Sequence, residues 1–413
     1  MLPLEKKLLS RTIAPGLLMP SYEGYCIANI MASILQQFGA KQQGTPLADG
    51  LLPEDATEAE KVVLFVADGL GYDQLQTEIA RRNAPGLKSF AGSVIPLTAC
   101  APTATTANLC SFVTGVPPGI HGFLGYKSEL LLRSLDPAAF KLGPGGAGQR
   151  LADIDLHAAD IREVPLATQL LMDAGIQVVQ YNRRDYLRTP LSEILYTNMK
   201  VHDYVDREDL LVHARKHLMT TKGKLFAWLY WDMIDGISHV HGALSDFHAA
   251  EVRALDAGII TELLEPLEGS NTLFIFTADH GHINRNEERV VDLTEDAGLM
   301  KLLQFAPQGD VREGRLNFFY TKKGKANATL QHLQQHYSQD SIAMLSDDAL
   351  KLGLFGTTKM TPTVRKRIGD VVMIAKDDAL LGSRPIEEML RLYGYHGGLT
   401  RQEVLVPFIA KVL

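Results

Sequence analysis

The sequence predicts an α/β fold with a mostly parallel central sheet, flanked by helices and carrying a small inserted α+β cap. Continuous apolar runs rich in β-branched residues are typical of strands that are buried on both faces. Such runs recur along the chain as KVVLFVAD, VIPLTA, IQVVQY, LFAWLYW, LFIFTAD and VLVPFIA. Helical patterns lie between them, and this alternation favours parallel strands joined by right-handed crossovers. Polar side chains follow several runs, at the position where open α/β sheets bind ligands.

The helical segments are recognised by apolar residues three and four positions apart. They cover residues 25–38, 107–113, 166–174, 206–219 and 246–264. Residues 1–298 and 384–413 form the predicted core domain, with residues 1–60 as a preface to the first buried run. Residues 299–383 differ, because LNFFYT, SIAMLS and DVVMIAKD alternate there with short helical patterns. We interpret this span as a cap over the functional site, and an insertion remote from the site is the alternative.

The chain has 413 residues, a formal net charge of -7 and three cysteines. The acidity argues against a nucleic-acid-binding surface, which is usually basic, although bound metal ions would reverse the local field for an anionic ligand. The odd number of cysteines, without paired spacing, favours reduced thiols and a cytoplasmic location. The chain shows no signal peptide and no apolar stretch long enough to span a bilayer. Its composition leaves the oligomeric state open.

Two carboxylates and one histidine stand at the ends of two apolar runs. Asp68 ends KVVLFVAD, while Asp279 and His280 follow LFIFTA and precede Gly281. Adjacent residues of a strand point to opposite faces, so Asp279 and His280 can share a cation only where the strand has ended and the chain turns. A turn or a helix cap explains each of these residues when it is taken alone.

Asp235 and His239 follow LFAWLYW with the spacing i, i+4, which places both side chains on one face of a helix. A single cation can therefore bind both. His396 lies in YGYHGG before the last run, where glycines allow the backbone to approach a ligand closely. A lone histidine is more often structural or exposed. The evidence for His396 as a ligand is that it completes the set of predicted metal ligands.

Threonines cluster in APTATTAN, residues 101–108, which follows VIPLTA and opens a helix. The N–H groups at a helix N-terminus favour an anion and would stabilise a threonine alkoxide. A threonine needs activation before it attacks phosphorus, and metal coordination is one route. A threonine-rich helix cap is the alternative for this segment.

The order strand–Asp, strand–Thr, strand–AspxxxHis, strand–AspHis and loop–His is similar to that of the alkaline phosphatase superfamily, and closest to its nucleotide pyrophosphatase/phosphodiesterase branch. The resemblance covers residues 62–413 apart from the predicted cap. It implies a site for two divalent metal ions, with zinc favoured and manganese or iron as alternatives. One implied ligand set is Asp235, His239 and His396. The other is Asp68, Asp279 and His280, joined by the oxygen of Thr105.

By the same resemblance, the pattern Pro-Thr-x-Thr-x-x-Asn at residues 102–108 makes Thr105 the nucleophile, which forms a phospho-threonine intermediate. It gives Asn108 a hydrogen bond to a phosphoryl oxygen. The branch usually has Phe-Pro after the threonine, where this chain has Thr106 and Ala107, so the resemblance leaves the substrate pocket undefined. Three carboxylates, three neutral imidazoles and two divalent ions leave a net charge of about +1, which suits an anionic substrate.

The resemblance implies hydrolysis of a phosphodiester or nucleotide pyrophosphate bond in a small phosphorylated substrate such as a nucleotide. Monoesterases of the superfamily place an arginine near the nucleophile; this segment has none, so Arg183, Arg184 and Arg312 are the candidates elsewhere. The alternatives are a phosphomonoesterase, a metal-dependent phosphosugar mutase and a non-catalytic phosphate-binding module. Thr105 counts against the mutase, because mutases of the superfamily use serine. We expect residues 123–127 and 182–186 in the pocket wall.

Overall fold

The computed structural model describes residues 2–125, 162–187, 189–304, 308–309 and 314–413. The strands are β1 (Thr12–Ala14), β2 (Leu17–Leu18), β3 (Lys61–Ala67), β4 (Ile95–Thr98), β5 (Gln177–Arg183), β6 (Lys200–Tyr204), β7 (Leu225–Trp231), β8 (Thr272–Thr277), β9 (Ile283–Asn284), β10 (Val290–Asp292), β11 (Gln308–Gly309), β12 (Leu316–Phe319), β13 (Ser341–Leu345), β14 (Val371–Ala375), β15 (Leu380–Gly382), β16 (Gly394–Tyr395) and β17 (Leu405–Val412). The helices are α1 (Pro3–Leu9), α2 (Ala28–Phe38), α3 (Tyr72–Ala80), α4 (Pro85–Ala91), α5 (Thr105–Thr114), α6 (Pro118–His121), α7 (Ala167–Asp173), α8 (Pro190–Leu195), α9 (Arg207–Thr220), α10 (Met233–His241), α11 (Asp246–Gly258), α12 (Ala297–Leu302), α13 (Ala326–Tyr337), α14 (Ser346–Lys351), α15 (Pro362–Lys366), α16 (Ile386–Met389) and α17 (Arg401–Val404).

Seven of these strands form one central sheet in the order β4-β17-β8-β3-β7-β5-β6. β3 pairs in parallel with β7 and β8, and β5 pairs in parallel with β6 and β7. β17 runs antiparallel to both of its neighbours, β4 and β8. The prediction of a mostly parallel sheet flanked by helices is confirmed, and the last apolar run is the strand that reverses direction.

The reversed strand brings the last loop of the chain to the functional edge of the sheet. Because β17 is antiparallel, its start lies at the same edge as the carboxyl ends of β3, β4, β7 and β8. His396 lies shortly before β17, Asp68 directly follows β3, and the other predicted ligands follow β7 and β8. The topology therefore collects segments that are distant in sequence at one edge, where open α/β sheets bind ligands.

The centre of the sheet is buried on both faces. Every residue of β7 and β8 is buried, as are the residues of β3 after Lys61. Phe65 and Phe276 stack across β3 and β8, with their ring centroids 5.7 Å apart. Burying an aromatic side chain of this kind contributes about 1.5–3 kcal/mol. The segments at the functional edge therefore follow strands that are buried on both faces.

A second sheet lies within the span that we predicted as an insertion. It is antiparallel, with the order β11-β12-β14-β13, and α13 packs against it. Phe319, Leu333 and Met373 belong to a hydrophobic cluster of its own, while Phe318 and Val372 belong to the main core. The span thus has α+β structure, and one face of its sheet packs against the rest of the protein.

The apolar patterns located most predicted elements to within a few residues. The helix predicted over 206–219 spans Arg207–Thr220, and the side chain of Asp206 caps its N-terminus. The patterns missed β6, because this edge strand is polar and only partly buried. Cys26, Cys100 and Cys110 are buried free thiols. Among the described residues, we find no helix that is both long and apolar enough to span a bilayer.

Candidate active site

Four of the predicted site residues converge beyond the ends of β3 and β8. His280 Nε2 lies 3.4 Å from Asp68 Oδ1 and 3.4 Å from Asp279 Oδ2. The same nitrogen lies 3.1 Å from the hydroxyl oxygen of Thr105. Asp279 Oδ1 accepts hydrogen bonds from the backbone N–H groups of Gly69 and His280, at 3.1 and 2.9 Å. These bonds fix the carboxylate of Asp279 so that Oδ2 points toward His280.

A second cluster forms around Asp235 in α10. Asp235 Oδ1 lies 3.4 Å from Nε2 of His239, one helical turn away, and 3.7 Å from Nε2 of His396. A third imidazole, His282, was not among the predicted ligands, and its Nε2 lies 3.1 Å from the same oxygen. One ligand atom from each of these four residues lies within 4.8 Å of the other three.

Buried polar atoms without hydrogen-bond partners indicate that both clusters fit cations. These atoms are Asp68 Oδ1, Asp235 Oδ1, Asp279 Oδ2 and His282 Nε2. A buried acceptor without a partner is costly, and a cation would satisfy all four. Asp235 also has a ligand atom within 4.8 Å of ligand atoms from Asp68 and His280, so the two clusters adjoin. Carboxylates and imidazoles together suit zinc and other divalent transition metals.

Backbone carbonyl groups orient three of the imidazoles through Nδ1. The pairs are His239 with Gly394 O at 2.8 Å, His282 with Gly69 O at 3.2 Å and His396 with Thr103 O at 2.9 Å. A carbonyl oxygen only accepts, so each contact assigns the ring proton to Nδ1 in the neutral imidazole. Nε2 then carries a lone pair directed at Asp235, which is the arrangement that metal-ligating histidines usually adopt.

The pKa values of the cluster reflect its burial and crowded charges. Burial, followed by the charges of Asp279 and Asp235, raises the pKa of Asp68 well above its usual range. Burial and then the neighbouring His280 lower the pKa of His396. The imidazole of His396 is therefore neutral, as a metal ligand must be.

Thr105 is the first residue of α5, and its hydroxyl faces the ligand cluster instead of capping the helix. The N-cap position is Ala104, and the amide N–H of Asn108 bonds to the carbonyl of Ala104. The N–H groups of residues 105–107, at the start of α5, have no acceptor within the helix. They lie beside the Thr105 hydroxyl, where a helix N-terminus favours an anionic group.

The loop that carries Thr105 is tied to the loop that carries His396. The hydroxyl of Thr103 donates to the carbonyl of Gly398 at 2.8 Å and accepts from the N–H of Gly397 at 3.0 Å. The carbonyl of Thr103 in turn accepts the bond from His396 Nδ1. The loop that carries Thr105 and the predicted ligand His396 are therefore positioned by one shared set of hydrogen bonds.

Asn108 lies behind the loop that carries Thr105 and not among the predicted ligand atoms. Its side-chain oxygen accepts from the N–H of Cys100 at 2.9 Å. Its amide donates to the carbonyls of Pro102 and Ala104, at 3.4 and 3.2 Å. Side chains in the first turn of a helix point back toward the chain that precedes it, which explains this placement. The predicted contact with a phosphoryl oxygen would require the amide to exchange these bonds, and it stays a prediction.

Sequence reasoning missed two residues that contact the predicted ligands. His282 ends the segment Asp279-His280-Gly281-His282, and the density of histidines there was an available signal. The hydroxyl of Tyr230 donates to Asp68 Oδ2 from within β7. A tyrosine near the carboxyl end of an apolar strand is weak evidence for such a role, because its ring alone explains the burial.

A small pocket lies beside Thr105. Its lining includes Asn182, Tyr186, Tyr196 and Tyr230. Part of the stretch 182–186 therefore lies beside Thr105, and its role as a substrate-pocket wall stays a prediction. Within the other predicted stretch, residues 126 and 127 lie outside the described residues, as does Arg312. The remaining arginine candidates are in ion pairs, because Arg183 contacts Asp232 at 3.3 Å and Arg184 contacts Asp203 at 2.6 Å.

Comparison with known proteins connects this arrangement to a family. The family profile described as type I phosphodiesterase / nucleotide pyrophosphatase matches residues 62–138 and 163–398. A sequence search of curated proteins gave no significant match. Among solved structures, phosphonoacetate hydrolase from Sinorhizobium meliloti, in complex with phosphonoformate, has a TM-score of 0.62 and 18% identity, and the match covers 85% of this chain and 90% of that chain.

Two further similar structures belong to ectonucleotide pyrophosphatase / phosphodiesterase 5. The murine protein, an inactive variant in complex with AMP, has a TM-score of 0.59 and 17% identity, with 85% of this chain and 87% of that chain covered. The human protein has a TM-score of 0.58 and 18% identity, with the same coverage. These similarities support the fold, and membership of the alkaline phosphatase superfamily is confirmed. The chain belongs to the type I phosphodiesterase / nucleotide pyrophosphatase family of phosphoric ester hydrolases.

Proposed function

We propose that this protein is a two-metal hydrolase of phosphodiester or nucleotide pyrophosphate bonds that acts through a phospho-threonine intermediate. The observation that supports it best is the convergence of Thr105 Oγ1, Asp68 Oδ1 and Asp279 Oδ2 on His280 Nε2, within 3.4 Å. This arrangement places a hydroxyl nucleophile at a cluster of cation ligands. The adjoining cluster around Asp235 provides the second cation site.

The proposed ligand sets are those that the resemblance implies. Asp235, His239 and His396 would hold one cation. Asp68, Asp279, His280 and the oxygen of Thr105 would hold the other. When bound, two divalent ions would lower the proton affinity of the Thr105 hydroxyl and neutralise charge on the attacking and leaving oxygens. Zinc suits this donor set best, with manganese or iron as alternatives.

The chemistry of the chain itself centres on Thr105. Its hydroxyl proton passes to solvent, and Oγ1 attacks phosphorus, so that an O–P bond forms and the bond to the leaving oxygen breaks. The leaving oxygen takes a proton from water. A water molecule then attacks the phospho-threonine from the side that the leaving group vacated, which releases the product and restores the hydroxyl. The N-terminus of α5 stabilises the phosphoryl anion in both steps, and two inversions give net retention at phosphorus.

The arginine contacts favour a diester or pyrophosphate over a monoester. A monoester carries an extra anionic oxygen, which monoesterases of the superfamily bind with an arginine near the nucleophile. Arg183 and Arg184 are engaged with Asp232 and Asp203 instead. The similar structures include complexes with AMP and phosphonoformate, and by analogy we propose a small phosphorylated substrate, with a nucleotide as the first candidate.

We further propose supporting roles for Asn108 and for residues 299–383. Asn108 holds the backbone on both sides of the nucleophile loop, so it positions Thr105 in addition to any contact with substrate. Residues 299–383 form an insertion in the catalytic core formed by residues 1–298 and 384–413. The insertion packs on the core through one face of its sheet, and we propose that it caps the site.

The test is a substrate panel assayed with the metal-loaded protein, the chelated protein and two variants. The panel compares bis-aryl phosphate, mono-aryl phosphate, a dinucleoside pyrophosphate and phosphonoacetate. We expect the diester and the pyrophosphate to be preferred, chelation to abolish turnover and Thr105→Ala to lower kcat by at least about 10³-fold. Thr105→Ser should retain part of the activity, because it keeps a hydroxyl at the same position.

Three outcomes would overturn all or part of the proposal. Activity that survives both chelation and Thr105→Ala would reject the site. Inversion at a chiral phosphorothioate would reject the covalent intermediate while leaving the metal site intact. A preference for the mono-aryl phosphate would favour the monoesterase alternative.

A further inference from the structure

We propose that His282 is a fourth protein ligand of the cation held by Asp235, His239 and His396, which makes this site different from the three-ligand site that family resemblance implies. The inference rests on the proposed function, because it assumes that a cation occupies this cluster. It assigns a role to a residue that the sequence pattern did not single out. The chemical class of the ligand is a divalent transition metal bound by three imidazoles and one carboxylate.

The first argument is the symmetry of the three imidazoles. The ring centroids of His239, His282 and His396 are 5.2 Å apart in each of the three pairings. Their Nε2 atoms lie 3.1 to 3.7 Å from the same oxygen, Asp235 Oδ1. His282 therefore holds the same position relative to Asp235 as the two predicted ligands. Three rings around one carboxylate oxygen form the donor set of an N₃O metal site.

The second argument concerns the proton of His282. A neutral imidazole has one N–H, yet His282 faces two acceptors, Gly69 O at Nδ1 and Asp235 Oδ1 at Nε2. If Nδ1 donates to Gly69, the Nε2 lone pair faces a carboxylate oxygen at 3.1 Å, and neither atom has a hydrogen-bond partner. A cation between Nε2 and the carboxylate resolves this conflict and leaves the bond to Gly69 in place.

The third argument is that the fold leaves room for this ring. Gly69 has φ +76°, and a Cβ at this position would lie 2.6 Å from Cε1 of His282 and 2.9 Å from Cα of Asp235. Next to His282, β9 pairs with β16, so Ile283 lies opposite Tyr395. The two histidines that flank this pair, His282 and His396, are thereby fixed beside each other. The close approach of Gly69 and the pairing of β9 with β16 therefore hold the ring of His282 beside Asp235 and His396.

A fourth ligand changes what the cation can do. Catalytic zinc sites usually have three protein ligands and an open fourth position. Four protein ligands fill a tetrahedral shell, so a substrate oxygen can bind only to an ion that accepts a fifth ligand. The cation at Asp235 should therefore be held more tightly, and the cation beside Thr105 should be lost first.

The experiment measures metal binding directly. Chelator-treated wild-type protein is titrated with Zn²⁺ against a chromophoric competitor, in parallel with His282→Gln and with the control His241→Gln, which replaces an exposed histidine of α10. We expect two sites in the wild type and in the control. In His282→Gln, the tighter site should weaken by more than the roughly 10–100-fold that loss of an outer-shell partner costs. Circular dichroism confirms that each variant is folded.

A second readout detects the ligating imidazoles by spectroscopy instead of by affinity. In Co²⁺-loaded wild-type protein, the Nδ1–H protons of ligating imidazoles give strongly shifted exchangeable NMR signals. We expect His282 among them, assigned through the signal that disappears in His282→Gln. Two bound ions with unchanged affinity in His282→Gln, or a His282 signal in the diamagnetic range, would overturn the inference and leave the proposed function standing. A wild type that binds no metal would instead overturn the proposed function.

Discussion

At the scale of single residues, most of the proposed ligands are held by a partner that leaves one atom free to bind a cation. Tyr230 occupies Oδ2 of Asp68 and leaves Oδ1 toward His280. Two backbone N–H groups occupy Oδ1 of Asp279. Backbone carbonyls bind Nδ1 of three histidines and leave Nε2 available for the proposed cation. Loss of a partner of this kind typically lowers metal affinity by about 10–100-fold.

Tyr230→Phe tests this positioning. The change removes the donor to Asp68 Oδ2 and leaves the buried packing of the ring. We expect the affinity of the cation site at Asp68 to fall by about 10–100-fold, with activity partly restored by excess metal. The measurement is a Zn²⁺ titration with activity at each concentration. Tyr320→Phe, which removes another buried hydroxyl bond at 2.8 Å, is the control, and equal affinities in both variants would contradict the role of Tyr230.

His121 provides a pH-dependent prediction away from the metal ligands. Its Nδ1 accepts from the N–H of Phe123 at 3.1 Å, so its Nε2 donates to Ser111 Oγ at 3.0 Å. Burial lowers the pKa of His121 to about 3, whereas the pKa of a histidine in an unfolded chain is about 6.5. Between these values the unfolded chain binds the extra proton, so this contribution to stability is complete above pH of about 6.5 and is lost as pH falls toward 3.

The measurement is urea unfolding at pH 7.5 and 5.0. From His121 alone we expect the free energy of unfolding to fall by about 2 kcal/mol between these values. His121→Gln should lower stability at pH 7.5 and remove this part of the pH dependence. His241→Gln, at an exposed position, should retain the wild-type slope. Parallel pH slopes for wild type and His121→Gln would show that the imidazole is not the titrating group.

At the scale of elements, a buried ion pair joins the span that we predicted as an insertion to α17, which follows the loop that carries His396. Arg315, directly before β12, donates to Glu403 in α17 through Nε and Nη2, at 2.9 and 2.8 Å, and both side chains are fully buried. Glu403 also accepts from the N–H groups of Gly398 and Thr400, at 2.8 and 3.1 Å. The loop that follows His396 is therefore anchored to the insertion.

Glu403→Ala should be strongly destabilising, because it leaves the buried guanidinium of Arg315 without its counter-charge. We expect a loss of about 3–5 kcal/mol in the free energy of unfolding. Combining it with Arg315→Met should recover part of the loss, since two apolar groups do not leave a buried charge. For comparison, Arg11→Ala breaks an exposed pair with Glu23 and should cost at most about 1 kcal/mol. A similar cost for Glu403→Ala and Arg11→Ala would show that the anchor is unimportant.

At the scale of the whole molecule, the functional edge gathers like charges that the fold alone does not neutralise. Asp68, Asp235 and Asp279 approach one another in a buried region. Repulsion among them makes the metal-free protein less stable than its core packing would allow. Cations that bind only the folded chain add stability according to their concentration over Kd.

We therefore expect chelation to lower Tm and Zn²⁺ to restore it, with about 4 kcal/mol per site at a thousandfold excess over Kd. Asp68→Asn should stabilise the metal-free protein relative to metal-free wild type, because it removes one of the repelling charges. The same variant should gain less from Zn²⁺. Asp55→Asn, an equal charge change at an exposed position, should alter neither value, and a wild-type Tm that is insensitive to chelator would contradict the prediction.

The sequence by itself predicted six of the seven strands of the central sheet, several of the helices and the candidate ligands. Buried parallel strands produce apolar runs that can be read locally, and the i, i+4 spacing of Asp235 and His239 follows from helix geometry alone. The turn after β8, which lets Asp279 and His280 act together, was also predictable, because strand alternation otherwise separates them.

Only the tertiary structure decided which side chains share a site and which merely support it. His282 and Tyr230 entered the cluster, and Asn108 moved behind the nucleophile loop. The antiparallel direction of β17 brought His396 to the functional edge. The sequence near each of these residues does not predict its position, because that position depends on contacts between segments far apart in the chain. Periodicity reports whether a residue is buried, whereas the partner that it meets is set by the packing of the whole sheet.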